Sequence, residues 1–158
     1  MKGSNRFGVL PLLLPLLAGC VAPQLAPADL ARSGWRIQET AAVWRPQRAA
    51  PELIGELLVA AHPDGSRFVQ FSKQTLPLVT AQSATNGWRL SSSLRRSVYG
   101  GGPPPTDRVP WFQLDRLPPV SPSSERWQLT TNADASWQLL NPRTGETLGS
   151  AASGAVRL

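Results

Sequence analysis

One tripeptide, tryptophan–polar–aliphatic, recurs four times: Trp35-Arg36-Ile37, Trp88-Arg89-Leu90, Trp127-Gln128-Leu129 and Trp137-Gln138-Leu139. The spacing between copies is irregular, so this is no solenoid repeat. It is period-two alternation. In an extended chain successive side chains point to opposite faces, so each tryptophan shares a face with its aliphatic partner. The pattern demands an antiparallel sheet with one greasy face and one wet face. The greasy face must then be covered by a helix, a second sheet or a ligand.

Turn chemistry divides the chain into short strands. Residues 35–45 suit a first strand or a short helix, and Arg45-Pro46-Gln47-Arg48 breaks that segment. Residues 53–61 and 66–73 form a hairpin across His62-Pro63-Asp64-Gly65, where proline presets one angle and glycine accepts a positive φ. Residues 76–83 and 88–94 form a second around Asn86-Gly87. Residues 123–131 and 135–140 form a third across Asn132-Ala133-Asp134. Asn141-Pro142-Arg143-Thr144-Gly145 turns the chain again before a closing strand at 146–151. About seven strands are expected.

Between the second and third hairpins, Tyr99-Gly100-Gly101-Gly102-Pro103-Pro104-Pro105 excludes a helix or a central strand. Beyond it, Val109, Trp111, Phe112, Leu114 and Leu117 line one side of a short helix starting at Pro110. Pro118-Pro119 ends that helix. The predicted fold is mainly β: a single curved antiparallel sheet, a half-barrel, with one or two short helices as a lid. If the greasy face holds a ligand, its lining is Leu57, Val59, Val69, Phe71, Trp88, Leu90, Trp111, Trp127, Leu129, Trp137 and Leu139. The competing expectation is that these residues are simply core.

The front of the chain carries a different signal. Lys2 and Arg6 precede an apolar run, Val9-Leu10-Pro11-Leu12-Leu13-Leu14-Pro15-Leu16-Leu17. It is far shorter than the ~20 residues of a spanning helix. It has the length of a signal-peptide core. The run ends in Leu17-Ala18-Gly19-Cys20, which resembles the lipobox of bacterial lipoproteins: an aliphatic residue, two small ones, then cysteine. The resemblance implies cleavage before Cys20 and acylation of that cysteine. One chain holds a protein to a membrane only weakly, at ~0.8 kcal/mol per buried methylene, whereas two or three make a durable tether. Cys20 is the only cysteine, which excludes an intrachain disulfide. Val21 follows it, where aspartate would resemble an inner-membrane retention signal, so the expectation is an exported protein at the periplasmic face of the outer membrane.

Three parts follow: a signal peptide at 1–19, a lipidated tether at 20–34 rich in alanine and proline, and one β-rich domain at 35–158 with a Gly/Pro loop at 99–105. Removing 1–19 from the 158 residues leaves 139, enough for one real core. The leader takes two cations from the net charge of +6, leaving +4. That balance suits a surface near anionic headgroups and is no nucleic-acid signature.

The motifs of several chemistries are missing. His62 is the only histidine and lies in a turn, so no metal site is expected. No nucleophile elbow exists. Gly100-Gly101-Gly102 leads into proline rather than a phosphate-binding helix start. Glu52 and Glu56 fit the solvent side of a strand better than an acid–base pair. Arg89, Arg95, Arg96 and Arg108 could form a basic patch for lipid phosphates, although charged residues also protect sheet edges. No catalytic residue, cofactor or nucleic-acid partner is predicted. Oligomeric state stays open.

Gly55-Glu56-Leu57-Leu58-Val59, the hairpin through Phe68-Val69-Gln70-Phe71, the segment Leu76-Pro77-Leu78-Val79 and the closing Trp127 and Trp137 strands resemble the LolA/LolB-type family. That resemblance implies an incomplete β-barrel whose apolar concave face holds acyl chains of lipoproteins in transit, with short helices as a lid. The implied partners are the membrane, through Cys20, and acyl chains or other lipoproteins. The alternative is a non-catalytic structural or interaction lipoprotein of the cell envelope.

Overall fold

The computed structural model describes residues 25–120 and 125–150; Cys20, the predicted signal peptide and the first tether residues lie outside them. Nine strands follow in chain order: β1 (Arg36–Arg45), β2 (Leu53–Ala61), β3 (Arg67–Lys73), β4 (Leu76–Ala84), β5 (Gly87–Ser92), β6 (Ser97–Gly101), β7 (Gln128–Thr131), β8 (Trp137–Leu140) and β9 (Thr147–Ser150). They form one open antiparallel sheet in the order β6-β5-β4-β3-β2-β1-β9-β8-β7. Among the described residues the only helical element is a single 3-10 turn, Pro110–Gln113, with proline at its start.

Residues 35–45, ambiguous by pattern, supply β1, an interior strand of the sheet. It pairs with β2 on one side, Trp44 opposite Leu53, and with β9 on the other, Trp44 opposite Leu148. The strand count exceeds the expected seven, and β6 is the clearest addition: it includes Tyr99, Gly100 and Gly101, assigned by sequence to a loop. The sheet has room for these glycines because β6 is an edge strand and pairs with β5 alone.

Three of the four tryptophan tripeptides face the core, since Trp88, Leu90, Trp127, Leu129, Trp137 and Leu139 all belong to or pack on it. The first does not. β1 turns Ala42 and Trp44 inward, so alternation puts Ile37 on the opposite face, where it is 45% exposed. Trp35 lies beside the β2–β3 turn, with its ring centroid 5.3 Å from that of His62.

β6 and β7 are opposite edges of the sheet, so the chain joining them must pass from one edge to the other. It does so over the greasy face. Trp111, Phe112 and Leu114 of this crossing are buried in the same cluster as Leu57, Val59, Phe71 and Leu139. Burying each such side chain contributes ~1.5–3 kcal/mol. Gln38 of β1 fixes the crossing: its side-chain amide donates to Leu117 O at 3.1 Å, and Leu117 N–H donates to Gln38 Oε1 at 3.0 Å. A polar residue on the greasy face is thereby satisfied, along with the backbone of an extended segment.

A second glutamine holds the other extended segment. The Gln82 amide donates to Ala26 O, and Ala28 N–H donates to Gln82 Oε1 at 3.1 Å. The Trp35 indole donates to Asp29 O at 2.9 Å, and Arg32 approaches Asp64 at 3.6 Å. The latter part of the predicted tether therefore lies on the domain.

The turns His62–Ser66 and Asn132–Ser136 are the same device. In each, the first residue's N–H donates to the fifth residue's carbonyl, at 2.9 and 2.8 Å. In each, an aspartate accepts from the serine two residues on. Those bonds hold the Asp64 carboxyl down at about 2, with the Ser66 backbone N–H the largest cause, and lower that of Asp134 through Ser136. The fourth position has positive φ in both: Gly65 at 87° and Ala135 at 62°. An alanine there is strained by ~1–2 kcal/mol. Ala135→Gly is expected to raise stability by up to about 1 kcal/mol after glycine's own entropy cost. Urea denaturation checks this; an unchanged or lowered midpoint would refute it.

Candidate functional site

The crossing does not fill the greasy face completely. A cleft of about 380 Å³ remains between β4–β6 and the start of the 3-10 turn. Its apolar walls come from Trp44 of β1, Val79 of β4, Leu90 of β5, Val109 and Trp111, with Leu94 and Tyr99 at the β5–β6 end. Trp44 and Trp111 meet edge to face at 5.0 Å, and Phe71 lies behind both, 5.8 and 6.0 Å away. Such pairs add ~0.5–1.5 kcal/mol beyond burial and hold the wall in one arrangement.

The charged lining residues are Arg95, Arg108 and Glu146. Each is placed by a local device. Ser93 donates through its hydroxyl to Pro77 O at 2.8 Å and through its N–H to Leu78 O at 3.0 Å. Arg96 then takes a positive φ of 46°, so the turn carrying Arg95 doubles back beside the cleft. Pro105 O accepts from the N–H groups of Arg108 and Val109 at 3.0 and 3.3 Å, winding the chain out of the Gly/Pro segment. Glu146 follows a turn in which Asn141 Oδ1 accepts from Arg143 N–H and Thr144 N–H, at 3.1 and 3.3 Å. Gly145 sits in that turn at φ 71°, where a Cβ would come within 2.6 Å of the Arg48 Cβ.

Glu146 is the unusual group. Burial pushes its carboxyl from 4.5 up to about 7; the Trp44 indole, donating to Oε1 at 3.1 Å, and the Arg95 charge pull it only partly back. Desolvation of a carboxylate outweighs one neutral donor and one cation at the solvent rim. Nearby, the Ser97 hydroxyl oxygen is buried with no hydrogen-bond partner. Sequence reasoning missed Glu146, and no signal in the turn distinguishes it from any glutamate that opens a strand.

Of the residues predicted to line a ligand site, Leu90 and Trp111 line the cleft. Leu57, Val59, Val69, Phe71, Trp127, Trp137 and Leu139 are core, with Trp88 and Leu129 packed against it. The basic patch is divided. Arg95 and Arg108 reach the cleft; Arg89 lies opposite Gln82 on the other face, and Arg96 lines a groove along β4 and β5. Glu52 pairs with Arg45. Glu56 borders a hollow of about 640 Å³ of mixed lining, with Glu39, Leu58 and Gln70. His62 approaches Asp64 at 2.9 Å and Ser33 O at 3.2 Å. Among the described residues no three His, Cys, Asp or Glu gather as metal ligands.

Comparison with known protein families, curated proteins and solved structures finds no match to this chain.

Proposed function

We propose that the protein is an envelope lipoprotein, anchored through lipids on Cys20 at the periplasmic face of the outer membrane, that shelters an acyl chain in the cleft beside Trp111. The observation that carries this reading is the cleft itself, about 380 Å³ and walled by Trp44, Val79, Leu90, Val109 and Trp111. Pockets for small ligands run from ~300 to 1,000 Å³, are mostly apolar and have a few placed polar groups. The sheet is open and its apolar crossing acts as a partial lid, in keeping with the LolA/LolB resemblance.

Native mass spectrometry of the full lipidated chain tests both halves of the reading. The covalent mass is expected to carry a diacylglyceryl group and an amide-linked acyl chain on Cys20. Non-covalent adducts of a single acyl-chain amphiphile are expected beside it. Leu90→Glu puts a charge against the cleft wall and is expected to abolish those adducts. Unmodified Cys20 would sink the anchor, and adducts indifferent to Leu90→Glu would sink the cleft.

The crowding of the remaining sheet face favours a second reading. Phe71, Leu57 and Leu139 are fully buried against the protein's own side chains. A purely structural envelope lipoprotein would need nothing more, and would show no adducts.

A further inference from the structure

The charge at the cleft says what kind of head the bound chain carries. We propose that the cleft takes a single-chain amphiphile with an anionic head, its chain along Leu90 and Trp111 and its head held at the rim by Arg95 and Arg108. This rests on the acyl-chain reading above and adds the class of ligand.

Both arginines are exposed and both line the cleft. Arg108 is engaged only loosely, its Nε 3.8 Å from the carboxylate of its neighbour Asp107, with 72% of its side chain exposed. A guanidinium offers several donors in a fixed fork that matches carboxylate or phosphate. The buried Ser97 hydroxyl, also at the cleft, adds a donor with no partner of its own. Two arginines lining an apolar slot, one of them only loosely engaged by Asp107, complement a chain with an anionic end better than one with a neutral head.

The one carboxyl at the cleft tunes this preference. Glu146 faces the Trp44 indole from β1 and Arg95 from the β5–β6 turn, while Arg108 and Tyr99 line the same cleft. Arg48 lies against the adjacent Gly145, but its guanidinium donates to Pro142 O at 3.3 Å. Neutral Glu146 leaves Arg95 without an opposing charge at the cleft; ionised Glu146 offsets it. Anion affinity therefore falls as pH rises through about 7.

The test uses the full lipidated chain in phosphatidylcholine nanodiscs. Trp44 and Trp111 line the cleft, so a brominated chain seated there quenches their fluorescence. The probes are mid-chain-brominated dodecanoate, dodecyl phosphate and dodecyl maltoside. Saturable quenching is expected at least tenfold more tightly with the anionic probes than with the maltoside. Arg95→Gln with Arg108→Gln removes that preference and leaves maltoside quenching unchanged. Both sites are exposed, so near-ultraviolet circular dichroism should not change. For the pH arm the probe is brominated dodecyl sulfate, whose head keeps one charge throughout; it should bind about threefold more tightly at pH 6 than at pH 8, and Glu146→Gln should abolish the difference. Preference for one anion over the other would identify the source, a free fatty acid or a lipid phosphate. Equal binding of all three probes overturns the anionic head and leaves the acyl-chain reading standing. Absence of saturable quenching by any probe overturns both.

Discussion

Trp111→Ala is expected to destabilise the protein by about 3–5 kcal/mol, the largest single-residue loss at the site. The side chain is 3% exposed and packs on Trp44 and Phe71. Removing it takes away the transfer energy of an indole, two aromatic contacts and the near wall of the cleft. The sheet behind it, held by ladders on both sides of β1, cannot collapse into the space. A domain of this size has ~5–15 kcal/mol in total, so the variant would approach the limit of folding at growth temperature. Trp111→Phe keeps most of the contacts and should lose well under half as much. Urea denaturation with an unchanged slope measures both. A loss below about 1 kcal/mol for Trp111→Ala would mean that the crossing is not part of the core.

The second large effect is a pH dependence. Glu146 titrates at about 7 when folded, against 4.5 unfolded. Between those values the folded state holds a proton that the unfolded chain has released. Stability is therefore fully present below pH 4.5, falls as pH rises and levels off once the pH has passed about 7. The loss from pH 5 to pH 8 is about 2–3 kcal/mol. Glu146→Gln keeps an acceptor for the Trp44 indole and carries no charge. Its stability should be flat over the same interval, so that the two proteins converge at pH 5 and diverge at pH 8. Parallel profiles would show that Glu146 is solvated in the folded state.

The hairpins were legible because their turns carry local chemistry. His62-Pro63-Asp64-Gly65 and Asn86-Gly87 each mark where two strands meet, and the structure forms β2–β3 and β4–β5 there. The start of the 3-10 turn at Pro110 was legible for the same reason: proline has no N–H to lose and its φ is already helical. β6 was hidden because glycine and proline argue against strands in general, while an edge strand uses only one side of its backbone. The outward face of Trp35 and Ile37 was hidden too. β1 mixes polar and apolar residues on both faces, and only its pairing with β2 and β9 decides which face turns inward.

The site divides along the same line. Trp111 and Leu90 were found because large apolar residues at regular spacing announce burial. Arg95 and Arg108 could be suspected as a patch, but not separated from Arg89 and Arg96. Glu146 could not be found at all. Its environment comes from Trp44, 102 positions away in sequence, and from Arg95 on another hairpin.

By itself the sequence determined the period of the strands, the places where they turn, the greasy and wet faces of most of them, and the one cysteine suited to lipid attachment. These depend on neighbours within a few residues, which a sequence displays directly. Tertiary structure alone decided that β9 would close on β1, that β6 and β7 would be opposite edges, and that the chain between them would therefore cross the greasy face. From that crossing come both the core and the gap left in it. A cleft is made by what fails to meet, and which groups meet is settled by pairings between strands far apart in the chain.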